Sequence, residues 1–309
     1  MGSEAERNLM LVRQQIRAGN LSAAIDSLRR VLSVDPEHAL AHTLLSACLL
    51  DQGRVAAAEV EAQQALALDP EDAVSLRTAA AVAVARRKLD EARRHLDAAL
   101  ASAPEESATH LGLARLHDLL GKRAEARGAI LRALELAPDD PEPHAALAKH
   151  LLDDNDLPGA ERHARDALAL DPELGDGLVV MGHVHLRRGE IELARDHAVS
   201  ALRSGDGGHG ALALFAHIKA RQSPLLGLWW RYSVWIGALG EKRSILVLVA
   251  AYATYRAATI LMEGTANAPL VPVIQLAWLG IVVYTWVGPS LFRKALDKEL
   301  GAVTLSKDY

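Results

Sequence analysis

Along the first two thirds of the chain, apolar residues return every three or four positions in stretches separated by short polar breaks. That spacing gathers apolar side chains on one face of a helix. The stretches come in pairs. HALAHTLLSACLLDQG (38–53) halts at Gly53, and VAAAEVEAQQALALDP (55–70) ends before Pro70. Glycine tolerates the left-handed conformation that closes a helix, and proline lacks both the donor and the φ freedom to continue one. Each pair therefore predicts a helix, a tight turn and an antiparallel second helix.

The pairs recur without insertion or deletion. Pro36, Pro70, Pro104, Pro138 and Pro172 stand 34 residues apart. So do Ala24, Ala58, Ala92, Ala126, Ala160 and Ala194, and a second series, Ala65, Ala99, Ala133, Ala167 and Ala201, each followed by Leu. Gly19, Gly53, Gly121 and Gly189 share one phase, with Arg87 and Asn155 in its two gaps. Six units result, spanning 5–208, and the sixth has Asp206 in place of the proline. A small residue at a fixed phase marks where two helices approach too closely for a larger side chain. Such a pair cannot bury its apolar face alone, whereas stacked neighbours can, so the expected architecture is an all-α array. GDGGHG then signals a hinge or cap, and HGALALFAHIKARQ predicts a capping helix within 209–223.

Period, paired alanines and terminal proline together resemble the tetratricopeptide repeat, over 5–208. The resemblance implies a right-handed α-solenoid that holds peptide segments in a concave groove lined by the first helix of each unit. The bulky positions depart from the family. Its Trp site, fourth in the unit, holds Asn8, His42, Leu76, His110, His144 and Leu178, and its Tyr site, eleventh, holds Gln15, Leu49, Ala83, His117, Leu151 and His185. The carboxylate clamp that reads chaperone tails is missing, with Leu9, Arg13, Leu44, Val74 and Thr78 at its sites.

Positions five and nine of the first helix lie one turn apart on one face. They carry Arg13, Arg77, Arg115, Lys149 and His183 among Leu9, Ala47, Ala81, Leu111, Ala145 and Val179. An apolar groove with basic studs suits an acidic segment or a C-terminal carboxylate, since Arg and Lys make charge-assisted bonds to carboxylates. The plainer reading is scattered, solvated charge.

Candidate chemistry is sparse. The 13 histidines show no HExxH or other ligand spacing. His183 and His185 point to different faces, His42, His110 and His144 fall in different units, and His95, His163 and His197 occur one per unit. No metal site is expected, and packing or surface roles are. Cys48, the one cysteine, sits among Leu and Ala and reads as a small core residue, which excludes internal disulfides and multi-cysteine zinc sites. With no phosphate-binding glycine loop and no nucleophile–base pair, neither enzyme activity nor a cofactor is expected.

Composition separates the back third. Residues 1–208 carry a formal charge of −10 and residues 209–309 of +5, and all 12 aromatics lie from Phe215 onward. A total of −5 gives no footprint for nucleic acid. Residues 244–262 form an apolar run of 19, about 28 Å as a helix and close to the hydrocarbon thickness of a bilayer. Arg256 interrupts it. Residues 268–292 form a second, charge-free run of 25, with Pro269 and Pro272 near its start. The expectation is a transmembrane helical hairpin over 244–292, the alternative being two buried helices of a soluble domain. Arg256, nearer the loop end of its span, would snorkel or pair with Glu263. Before the spans, residues 224–243 place apolar side chains on one face and predict an amphipathic helix, lying in the headgroup layer or packed on the end of the array. Trp229, Trp230, Arg231 and Trp235 on one side, and Arg293 and Lys294 at the start of the 293–309 tail, are the expected interfacial anchors.

Basic flanks and an acidic connecting loop put both termini in the cytoplasm. The first twenty residues hold no apolar run of secretory type, in keeping with that side. A composition rich in Ala, Arg, Asp and Leu fits high-GC bacterial coding, which makes the inner membrane the expected bilayer. The expected role is a non-catalytic scaffold that is tethered to the membrane and binds partner protein segments. The rival is a structural or accessory subunit of a larger membrane enzyme or transporter, assembled through the hairpin, with homo-oligomers of stacked arrays among its forms.

Overall fold

The computed structural model describes residues 2–17, 19–204, 208–222, 241–263, 270–280, 282–283, 287 and 290, and the side chains of these except 2–8, 17, 208–209, 241–249 and 263. The chain divides into two compact units, Met1–Ala211 and Leu212–Tyr309. The described residues are helical or in turns, without strands.

The first unit is the expected array. Its first helices are α1 (Gly2–Arg17), α3 (Ala39–Asp51), α5 (Ala73–Ala85), α7 (Ser107–Leu119), α9 (Pro141–Asp153) and α11 (Gly175–Arg188). Their partners are α2 (Leu21–Val34), α4 (Val55–Leu68), α6 (Leu89–Ser102), α8 (Arg123–Leu136), α10 (Leu157–Leu170) and α12 (Ile191–Ser204). From α3 onward, each first helix begins on the first residue of its 34-residue unit, and α1 starts three residues before the expected boundary. Each first helix packs on its own partner, each second helix on the first helix that follows, and α3, α5, α7, α9 and α11 also touch in succession. Contact between successive first helices puts them on the inner side of the stack, where the groove was expected.

Both alanine series are 0% exposed throughout, as close helix crossing requires. Around them Leu28, Leu45, Leu96, Leu116, Ile130, Leu147 and Val184 add buried aliphatic side chains. The helix starts are fastened locally: Asn20, Asp72, Asp140 and Asp156 each accept a hydrogen bond from a first-turn amide, worth about 1 kcal/mol per cap.

The turn inside each unit has one geometry. Gly19, Gly53, Gly121 and Gly189 have φ of +68° to +84°, and Arg87 and Asn155 adopt the same left-handed conformation at +61° and +63°. In all six turns the following amide donates to the carbonyl five residues back, at 2.8–2.9 Å. The hydrogen bond, not the residue type, defines this turn, and two non-glycine residues are held in it against their preference.

A third helix type follows. α13 (Gly208–Gln222) spans the division between units, and its Ala211 packs with Leu178 and Ala201 at the end of the array. In the second unit, α14 (Glu241–Glu263) and the helical stretch 271–280 lie side by side, since Tyr255 stacks on Trp278 with ring centroids 4.7 Å apart. Among the described residues no helix is long and apolar enough to cross a membrane. α14 includes Glu241, Lys242, Arg243, Arg256 and Glu263 within its 23 residues, and the run 268–292 is described only in part. The expected amphipathic helix, with Trp229, Trp230, Arg231 and Trp235, lies outside the described residues, as do Arg293 and Lys294.

Units five and six are also joined by charge. Glu161 on α10 accepts from Arg188 of α11 at 2.5 Å and from Arg165 at 2.7 Å. The Arg188 hydrogen bond leads in holding the Glu161 carboxyl below its ordinary range.

Arg87→Gly relieves the left-handed strain and should raise unfolding free energy by about 0.5–1 kcal/mol in denaturant melts, whereas Ala126→Leu should lower it by about 1–3 kcal/mol through overpacking. Glu161→Gln should destabilise the array at pH 7. Because the folded carboxyl titrates below its unfolded value, wild-type stability from this site is present above that value and lost as pH falls through the folded one. Melts of the two proteins should therefore converge as the pH falls below the folded value, once the carboxyl is protonated in both states.

Candidate binding groove

Positions five and nine of the first helices, paired by spacing in the sequence, take different roles in the structure. Position five forms the floor. Leu111 and Ala145 are buried there, and Thr43 is buried with its hydroxyl 2.6 Å from that of Ser75. Position nine forms the rim: Arg13, Arg115 and Lys149 are exposed, and His183 is half-buried. Arg77, at position five, is no free stud, because its guanidinium is bonded to Glu106 at the start of α7. The expected row of basic groove residues is thus divided between a structural tie at Arg77 and open cations at Arg13, Arg115 and Lys149.

The structure brings Arg115 and Lys149 together at one cleft of about 170 Å³, formed by α7, α9 and the start of α11. Leu111, Ala114, Ala145 and Leu174 give it an apolar wall. Asp118, Glu142 and Asp176 stand on it as well. The apolar groove with basic studs thus carries acids too: at this cleft two cations face three carboxylates. The missed acids occupy positions two and twelve of their units, and their place on the same helix face was a signal in the sequence. His150 lies in this cleft, 3% exposed. Its backbone carbonyl accepts from Arg123 Nη2 at 3.1 Å. Its Nδ1 has no hydrogen-bond partner, the nearest carboxylate being Asp118 Oδ1 at 3.7 Å.

The histidines at position four serve the joints between units. His42, His110 and His144 each place Nε2 within 2.9–3.2 Å of the carbonyl oxygen of Pro36, Pro104 or Pro138, at the end of the preceding unit. This explains how histidine replaces a bulky aromatic at that site: the ring fills the joint and bonds across it. The residue facing it is nineteen positions on, in the second helix. For His42 this is Glu61, 2.7 Å away, and for His144 it is His163, with the two Nδ1 atoms 3.5 Å apart. Asp166 stands beside that pair. The spacing argument compared histidines of different units, whereas this trio meets between the two helices of one unit.

Cys48 is a buried core residue, as expected. Burial, with Asp51 adding, pushes its thiol up to about 11, so it stays protonated and unreactive at neutral pH. Arg256 is exposed on α14, and its carbonyl accepts from the Thr259 hydroxyl at 2.9 Å. The side chain of Glu263, its expected partner, lies outside the described residues.

Comparison with known proteins bears on the array. Residues 9–73 and 83–149 match two family models, each described as a tetratricopeptide repeat. Among curated proteins none matches the sequence. Among solved structures, the chain is similar to TTC0263, a thermophilic TPR protein in Thermus thermophilus, at 23% identity and a TM-score of 0.53, over 64% of this chain and 99% of that one. It is also similar to a chain of the APC/C hetero-tetramer Cut9–Hcn1, at 18% identity and a TM-score of 0.60, over 94% of this chain and 55% of that one. At these identities the likeness concerns the fold. Helix pairs on one 34-residue period, a buried alanine at one phase and two family matches lead to one statement: the array contains tetratricopeptide repeats, over residues 9–73 and 83–149.

Proposed function

We propose that this protein is a non-catalytic, membrane-tethered scaffold that captures a peptide segment in the cleft between α7, α9 and α11. Tetratricopeptide repeats serve protein–protein interaction, and the observation that supports contact at this cleft is the meeting of Arg115 and Lys149 over an apolar wall. The charges also narrow the ligand. Three carboxylates, Asp118, Glu142 and Asp176, would repel a run of acids. A single carboxylate between the two cations, with a polar or basic neighbour beside the acids, satisfies both signs. A free C-terminus supplies such a group.

The tether rests on the second unit. Tyr252, Ile260, Leu261, Leu270, Val273, Leu276, Leu279 and Val283 are each at least half exposed. An extensive apolar surface of this kind is costly in water and suits contact with lipid or a partner. Lipid is favoured by the charge-free sequence of 268–292 and by basic residues outside both runs. In this reading, 244–292 is a hairpin in the inner membrane of a bacterium, and the array and both termini face the cytoplasm. The other reading, a subunit of a larger membrane complex, uses the same apolar surface for protein contact.

The groove is tested by calorimetry on the purified full chain, with pooled hexapeptides bearing free C-termini and the same pool amidated. The free pool should bind more tightly, and Arg115→Glu with Lys149→Glu should weaken it about tenfold or more, since charge-assisted bonds contribute about 1.5–3 kcal/mol. Arg77→Gln should leave binding unchanged. Equal binding of both pools would refute the carboxylate reading. The tether is tested by fractionation. The full chain should stay with membranes through an alkaline carbonate wash, and a chain lacking 244–292 should not; recovery of the full chain in the aqueous fraction would overturn the tether.

A further inference from the structure

We propose that His144, His163 and Asp166 form a binding site for a borderline transition-metal ion, with Zn²⁺ as its simplest probe, joining α9 to α10 inside the fifth repeat. His163 and Asp166 sit three residues apart on one face of α10, and His144 meets them from α9. The Nδ1 atoms of the two histidines are 3.5 Å apart, and Asp166 Oδ2 lies 4.0 Å from that of His144 and 3.8 Å from that of His163. The circumradius of a triangle with those sides is about 2.2 Å, so one point stands at coordination distance from all three atoms.

The surroundings fit a ligand set. His144 Nε2 lies 3.2 Å from the Pro138 carbonyl oxygen. Donation there fixes the tautomer and leaves the Nδ1 lone pair directed at the other two groups. An outer hydrogen bond of this type is how metal-bound imidazoles are oriented. Two imidazole nitrogens and one carboxylate oxygen select zinc and its neighbours over calcium or magnesium, which take oxygen. Asp166 is about half exposed, leaving a side open for water as the fourth ligand.

The other repeats show what the same positions do without a metal. In the second repeat Glu61 replaces the second histidine and bonds His42 directly at 2.7 Å. In the fourth, His110 faces Ala129 across the same register and has no such neighbour at that position. Among the described residues only this trio gathers three such ligand atoms within 4.8 Å of one another.

The test uses the full chain, purified without a histidine tag and stripped with chelator, titrated with Zn²⁺ against a competing chelator. One tight site is expected. His163→Gln and Asp166→Asn should each weaken it about tenfold or more, while His110→Gln should leave it unchanged. Co²⁺ in place of Zn²⁺ should give the intense visible bands of four-coordinate cobalt, lost in both variants. Asp166 makes no bond that the fold relies on, so its variant stays informative if His163→Gln misfolds. Wild-type titrations that superimpose on those of Asp166→Asn, or six-coordinate cobalt bands unchanged by it, would overturn the site.

Discussion

The closeness of two helix backbones at one alanine methyl governs the rest of this molecule. At Ala24, Ala58, Ala92, Ala126, Ala160 and Ala194 no surface remains exposed, so the methyl is the spacer between helices. A spacer of constant size gives each pair the same crossing, and pairs of equal geometry stack with equal rotation. That regularity brings successive first helices into contact, turns position five inward as a floor and leaves position nine at the rim. Arg115 and Lys149 share a cleft because their repeats are related by the same step.

Most of the array was legible because its determinants are local and repeat. The period located the first residue of α3, α5, α7, α9 and α11, and the glycine phase located the turns. Arg87 and Asn155 looked like gaps in that phase, yet the backbone there is the same. The turn is imposed by hydrogen bonds from both flanking helices, and glycine only lowers its cost. The site was legible in part. Spacing along a single helix identified Arg115 and Lys149. It did not reveal that Arg77 is tied to Glu106, because that contact crosses between repeats. It also passed over Asp118 and Glu142, which share the faces of Arg115 and Lys149, and Asp176, whose approach to the cations depends on the rotation from one pair to the next. The meeting of His144 with His163 depends on the register between antiparallel helices, which neither helix encodes alone.

Polar groups at the joints are reused with different outcomes. A histidine at position four reaches back to a proline carbonyl in three repeats, and what it faces in its own repeat decides the result: a carboxylate makes a hydrogen bond, a second histidine makes a pair of facing nitrogens. Joint and side-chain cluster are thus one construction. Variation at a single second-helix position changes the chemistry without disturbing the stack, which is the freedom that repeat architectures allow.

The absence of aromatics from the repeats has an optical consequence. Peptide absorption in the far ultraviolet is dominated by the twelve helices of the array, whereas indole and phenol emission arises only beyond Phe215. The two compact units therefore carry separate spectroscopic labels without any chemical modification. Loss of structure in one can be followed at wavelengths where the other is nearly dark, so the chain contains its own means of showing whether its halves unfold together.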